Sequence, residues 1–147
     1  MKLIKTKIRG VFVIEHKSFK DNRGSFTRLF CENVLRKKIK FYIKQSNLSK
    51  NKKKFTLRGF HYQIGKYSEN KIIRCLKGKI YDIVVDLRKS SKTYGKYVSI
   101  KLNDKSNRSI LLPKGCANAF LTLVDNTEIL YYTSSFYNKN FERGIRY

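Results

Sequence analysis

Histidine is nearly missing from this chain of 147 residues, with His16 and His61 the only two. A histidine-based metal site usually needs two imidazoles with a carboxylate, and His16 sits at the end of an apolar strand-like run, so no metal is expected. Cysteine is scarce too. Cys31, Cys75 and Cys116 are odd in number and far apart, with no Cys-x-x-Cys pair, which excludes a zinc knuckle and a disulfide framework and suits a reducing compartment. No run is apolar and long enough to span a bilayer, and the opening MKLIKTKIRGVFVIEHK lacks the apolar core of a signal peptide. The chain is expected in the cytoplasm and off the membrane.

Acids are also few. Ten Asp and Glu stand against 34 Lys and Arg, for a net charge of +24. Twenty-four of the basic residues are Lys, and Asn occurs 11 times, a pairing that suggests compositional bias more than a selected surface. Nucleic-acid binders cluster Arg and Lys on one face. Here the dense runs are Arg36-Lys37-Lys38 with Lys40, and Lys50 to Lys54 around Asn51, which read as a solvated helix end and a loop. No nucleic-acid partner is expected, although the field would draw in any anion, including a nucleotide diphosphate.

What is present argues for one folded domain over 1–147. Hydrophobic residues make up 41% of the chain, with ten Phe and ten Tyr, enough to bury a core at this length. Strand-like segments dominate: Val11 to Glu15, Ser25 to Phe30, Phe41 to Leu48, residues 55–63, an apparent hairpin over 71–88 turning at Lys77-Gly78-Lys79, Tyr97 to Leu102, two runs within Ser109 to Val124 split at Pro113, and Thr127 to Tyr137. Residues 31–40 are the best helix candidate, about two turns long. Many short strands with regular turn signals predict an all-β antiparallel sandwich or jelly roll with one short helix. Such folds hold ligands in the mouth between the sheets.

The stretch 57–88 gathers the chemistry: Arg58, His61 between Phe60 and Tyr62, Lys71 and Asp82. A base, two cations and an acid on neighbouring strands are what proton transfer on an anionic substrate needs. The same residues would also fit a half-buried hairpin with ordinary surface charge.

The blocks DNRGSF, LRGFHYQ, KIIRCLKGKIYDIVVDLR, TYGKYVSIKL, LLPKGCANAF and LYYTSSFY occur in that order from about Gly10 to Tyr147. Together they resemble the dTDP-4-dehydrorhamnose 3,5-epimerase family of cupin-type sugar-nucleotide enzymes. The resemblance implies a cupin-like jelly roll, a dTDP-linked 4-keto-6-deoxyhexose as substrate, no cofactor, and a homodimer that exchanges a strand or side chains across its interface. It implies deoxysugar supply for a bacterial surface polysaccharide or a glycosylated natural product. A C–H beside a ketone is acidic only if the developing enolate oxygen is stabilised, so fixed cations are needed in a dry pocket. A base must face one side of the sugar and a proton donor the other.

By the resemblance, His61 is the base and Tyr131 the acid, with alternation putting only one of Tyr131 and Tyr132 in the pocket. Arg58 and Lys71 are the cations, and Asp82 is a further catalytic carboxylate, while Asp86 is a structural partner of Arg88. Simple alternation would set Arg58 and His61 on opposite faces, and Gly59 permits a bulge aiming both inward. Arg23 and Phe26 are expected at the nucleotide, Gln45, Asn47 and Asn118 at the pocket wall, and Tyr137 at the base.

Three departures from the family pattern stand out. A pocket histidine is replaced by Asn118, which hydrogen-bonds but does not change charge near neutral pH. The residues end at Tyr147, before the Asp that the resemblance pairs with the catalytic histidine, and the sequence leaves open whether Asp82 or a residue of a second subunit takes its place. Arg28 stands where the pattern has an acid. These favour epimerisation at one carbon, C3 before C5. The readings left open beside it are a 3,4-ketoisomerase of the same substrate class, which the lack of a His-x-His pair disfavours, an inactive relative, and a basic module for nucleic acid or another anion.

Overall fold

A computed structural model describes residues 1–146. Its strands are β1 (Lys2–Lys5), β2 (Phe12–Glu15), β3 (Ser18–Asp21), β4 (Gly24–Thr27), β5 (Gln45–Asn51), β6 (Leu57–Gln63) and β7 (Lys71–Lys77). They continue as β8 (Lys79–Asp86), β9 (Tyr97–Asn103), β10 (Arg108–Leu112), β11 (Cys116–Thr122), β12 (Thr127–Thr133) and β13 (Glu142–Gly144). One helical turn, α1 (Glu32–Leu35), lies between β4 and β5. A six-stranded sheet in the order β1-β2-β10-β7-β12-β5 faces a five-stranded sheet in the order β13-β6-β11-β8-β9, and β3 and β4 pair only with each other. All the pairings are antiparallel. This is the expected jelly roll.

Alternation along the strands sorts the apolar residues into two layers. Ile73, Ile110, Leu112 and Ile129 from the six-stranded sheet meet Ile80, Val84, Val98, Leu102 and Phe120 from the other, forming the core between the sheets. Their neighbours Ile72, Leu111, Phe12 and Ile14 point the other way and pack with Leu35 and Phe41. Both faces of the six-stranded sheet are thus covered around α1, which is why β7 and β10 are buried on both faces.

Two expectations are corrected. The helix is one turn instead of two. Cys31 supplies no side-chain cap, and the Arg36-Lys37-Lys38 run that follows adds like charges where a short helix is already marginal. The stretch 71–88 is also not a hairpin: β7 pairs with β10 and β12, and β8 pairs with β9 and β11. Gly78, at φ +83°, turns the chain from one sheet into the other, and a Cβ there would lie 2.7 Å from Thr127 Oγ1. A Lys-Gly-Lys break between apolar runs has the same composition in either case.

His16 is buried, donating from Nδ1 to the Arg28 carbonyl at 3.0 Å and accepting at Nε2 from Ser109 at 2.8 Å. Its role is structural. Among the described residues no helix is long and apolar enough to cross a membrane.

Asp86 closes the end of β8. Its fully buried carboxylate accepts from Arg88 Nε at 2.7 Å, Arg88 Nη2 at 2.8 Å, Ser91 Oγ at 2.6 Å and Thr93 Oγ1 at 2.7 Å. Burial alone would push this carboxyl up, but those hydrogen bonds outweigh it and hold the group well below the usual carboxylate range. A group depressed in the fold stabilises it above the unfolded value, near 3.8, and loses that contribution as pH falls. Asp86→Asn is expected to cost about 2 kcal/mol at pH 7, with the gap to wild type closing below pH ~3.8. Urea titrations across pH would read this, and a gap unchanged from pH 7 to acid would contradict it.

Candidate active site

Between the two sheets lies a cavity of about 440 Å³, walled by β5, β12 and β7 on one side and by β6 and β11 on the other. Its shape depends on β6. Opposite β11, His61 pairs with Asn118 and Arg58 with Phe120, so Gly59 and Phe60 together oppose the single residue Ala119. This extra residue reverses the alternation, and Arg58 and His61 both reach the cavity. Gly59 stands at φ +115°, and a Cβ there would sit 2.5 Å from the Asn118 carbonyl oxygen and 2.7 Å from Ala119 Cβ. No larger residue fits.

His61 does not face Asp82. Its Nδ1 lies 3.2 Å from Glu142 Oε1, and Glu142 Oε2 accepts from the Tyr137 hydroxyl at 2.8 Å. β13 brings Glu142 there by pairing with β6, Gly144 opposite His61 and Glu142 opposite Gln63. On the same strand Arg58 donates from Nε to Asn51 Oδ1 at 2.8 Å. Lys71 Nζ lies 3.0 Å from Glu69 Oε1. Gln63 braces this corner, donating to Glu69 Oε2 at 3.2 Å and to the Phe136 carbonyl at 3.1 Å, and accepting from Asn138 N at 2.7 Å.

On the opposite wall Tyr131 points inward while Tyr132 packs outside against the cluster around Phe41, as alternation requires. Burial, then the charge of Glu69, pushes the Tyr131 phenol above its ordinary value, against the pull of Arg58. The phenol stays protonated. Gln45, Asn47, Asn118 and Tyr137 also line the cavity.

Other expected site residues lie elsewhere. Asp82 is fully buried beside Asn118, where Oδ2 accepts from Asn118 Nδ2 at 2.9 Å and Oδ1 has no partner among the described residues. Burial pushes its carboxyl well up, opposed by the Asn118 hydrogen bond and the charge of Lys71. It holds Asn118 in place and does not line the cavity: on β8 it stands between Ile80 and Val84, on the face that points into the packed core between the sheets. Arg23 and Phe26 are not at the cavity either. They belong to the projecting β3–β4 hairpin, where Arg23 pairs with Asp21 at 2.7 Å and Phe26 is 63% exposed. Arg28 is exposed and outside the cavity.

Glu142 and Glu69 were not foreseen. With ten acids against 34 cations, each carboxylate near an aromatic block carried more information than any lysine, and Glu142 follows Phe141 at the start of just such a segment, ERGIR. Among the described residues no three His, Cys, Asp or Glu groups converge as metal ligands would.

The model of the dTDP-4-dehydrorhamnose 3,5-epimerase family matches residues 5–147. A dTDP-4-dehydrorhamnose 3,5-epimerase from Shigella flexneri is 42% identical over 147 residues, spanning 99% of this chain and 81% of its own length. Among solved structures, a dTDP-6-deoxy-D-glucose-3,5-epimerase from Legionella pneumophila in complex with dTDP-4-keto-L-rhamnose superposes with a TM-score of 0.94 at 31% identity, covering 99% of this chain and 78% of that one. A 3'-monoepimerase from Streptomyces bikiniensis in complex with dTDP-quinovose gives 0.89 at 28% identity, covering 96% and 72%.

Proposed function

The chain belongs to the dTDP-4-dehydrorhamnose 3,5-epimerase family, and from that premise we propose how its cavity works. It is an isomerase of deoxysugar biosynthesis acting on a nucleotide-linked sugar. The substrate is a dTDP-linked 4-keto-6-deoxyhexose, the class bound in the Legionella relative.

The observation that carries the reading is the placement of His61 and Tyr131 on opposed sheets, β6 and β12, facing one cavity. A sugar ring lying between them meets a base on one face and an acid on the other. His61 removes the proton beside the ketone through Nε2, since Nδ1 is engaged by Glu142. Glu142 then does what the carboxylate of any histidine–acid pair does, fixing the tautomer and stabilising the imidazolium. Lys71 and Arg58 face the charge that develops on the ketone oxygen and the diphosphate. Tyr131 returns a proton from the other side, which inverts the carbon.

Asn118 supports restriction to C3. It is neutral, and it is tied to Asp82, so it supplies no second titrating group at the wall. The existence of a 3'-monoepimerase among the structural relatives accords with this.

His61→Asn and Tyr131→Phe are each expected to lower turnover by ~100-fold or more, while dTDP still raises the melting temperature. Glu142→Gln is expected to lose ~10-fold or more, by analogy with histidine–acid pairs elsewhere. Full turnover in His61→Asn would overturn the reading.

We further propose a cytoplasmic homodimer, with the exposed Phe19 and Phe26 of the β3–β4 hairpin and its Arg23 offered to the mouth of a partner's cavity. Apolar rings that exposed are out of place on a solvated hairpin. Equilibrium sedimentation is expected at twice the chain mass, and a single-chain mass with dTDP bound would remove this arrangement.

A further inference from the structure

The acid–base steps give no part to Glu69, yet it is the most enclosed carboxylate lining the cavity, at 9% exposure. Both its oxygens are used. Oε1 lies 3.0 Å from Lys71 Nζ, and Oε2 accepts from Gln63 Nε2 at 3.2 Å. Gln63 is itself buried: its Nε2 also meets the carbonyls of Tyr67 and Phe136, and its Oε1 accepts from Asn138 N at 2.7 Å. The brace therefore runs from backbone, through Gln63 and Glu69, to the ammonium.

A lysine head on a four-carbon stem has no preferred position of its own. Charge stabilisation in an active site depends on donors fixed before the reaction. An ammonium has three N–H groups. One meets Glu69, and the His61 carbonyl lies 3.5 Å away, too far for a strong second bond. At least one donor is left for substrate, beside the base.

We infer that Glu69 is a positioning residue: with Gln63 it fixes the Lys71 ammonium beside His61, where it meets the oxygen that gains charge as the proton leaves. The inference rests on the site reading above. Because that charge exists only in the transition state, the brace acts on kcat more than on KM. The other charged or titratable groups near Lys71 are Arg58 and His61 on β6, Tyr131 on β12, Glu142 on β13 and the buried Asp82 on β8.

The test compares Glu69→Gln and Glu69→Asp with wild type and His61→Asn, using a dTDP-linked 4-keto-6-deoxyglucose. Glu69→Gln keeps the shape and removes the charge. Its kcat is expected to fall ~10-fold to 100-fold with KM within ~3-fold. Glu69→Asp retains the charge and is expected to recover part of kcat. The dTDP-induced rise in melting temperature is expected in both. A Glu69→Gln enzyme with wild-type kcat, beside an inactive His61→Asn, would overturn the inference alone. Equal losses in both Glu69 variants, or a loss carried by KM, would also overturn it, as a merely structural contact. An active His61→Asn would bring down the site reading and the inference with it.

Discussion

At Gly59 the backbone of β6 passes so close to β11 that a Cβ would stand 2.5 Å from the Asn118 carbonyl oxygen. The contact makes room for one extra residue in β6, and that residue puts Arg58 and His61 on the same side of the strand. Without it, strict alternation would leave either the cation or the base facing away from the cavity. Every other element of the site is arranged around this pair: β12 brings Tyr131 to the opposite wall, β13 brings Glu142 to His61, and β7 brings Lys71 to the same corner.

The electrostatics follow from how few acids the chain has. Most of the 34 cations are solvated and cost the fold little. Glu69, Glu142, Asp82 and Asp86 are placed where charge is difficult to solvate, and each is held by specific donors. Asp86 is tied to the turn after β8, Asp82 supports Asn118, and the two glutamates face the cavity. Burial first, and then the charges of Glu69 and Glu142, push the Tyr131 phenol up, toward the protonated state a proton donor needs.

The sequence was most readable where local pattern decides the outcome. Alternation separated Tyr131 from Tyr132, and Gly59 marked the bulge in β6. Pattern failed where partners decide. Lys77-Gly78-Lys79 could not distinguish a hairpin from a sheet corner, because that depends on which strands β7 and β8 find. The helix at 31–40 shortened because its second turn carries like charges and few apolar anchors. Asp82 was expected among the catalytic groups by its position in a motif, and the fold buries it beside Asn118, which lines the cavity. Arg23 and Phe26 lie on a hairpin that no single-chain pattern could bring to the pocket. Glu142 and Glu69 became visible only when strand pairing set them beside His61 and Lys71.

Proton exchange at the carbon beside the ketone is the direct consequence of a base and an acid on opposed sheets. Proton NMR of a dTDP-linked 4-keto-6-deoxyglucose incubated with the protein in D2O measures it carbon by carbon. The account predicts deuterium at C3 and a retained proton at C5. No deuterium at C3, in protein whose melting temperature dTDP raises, would contradict it, and deuterium at both carbons would contradict the restriction assigned to Asn118.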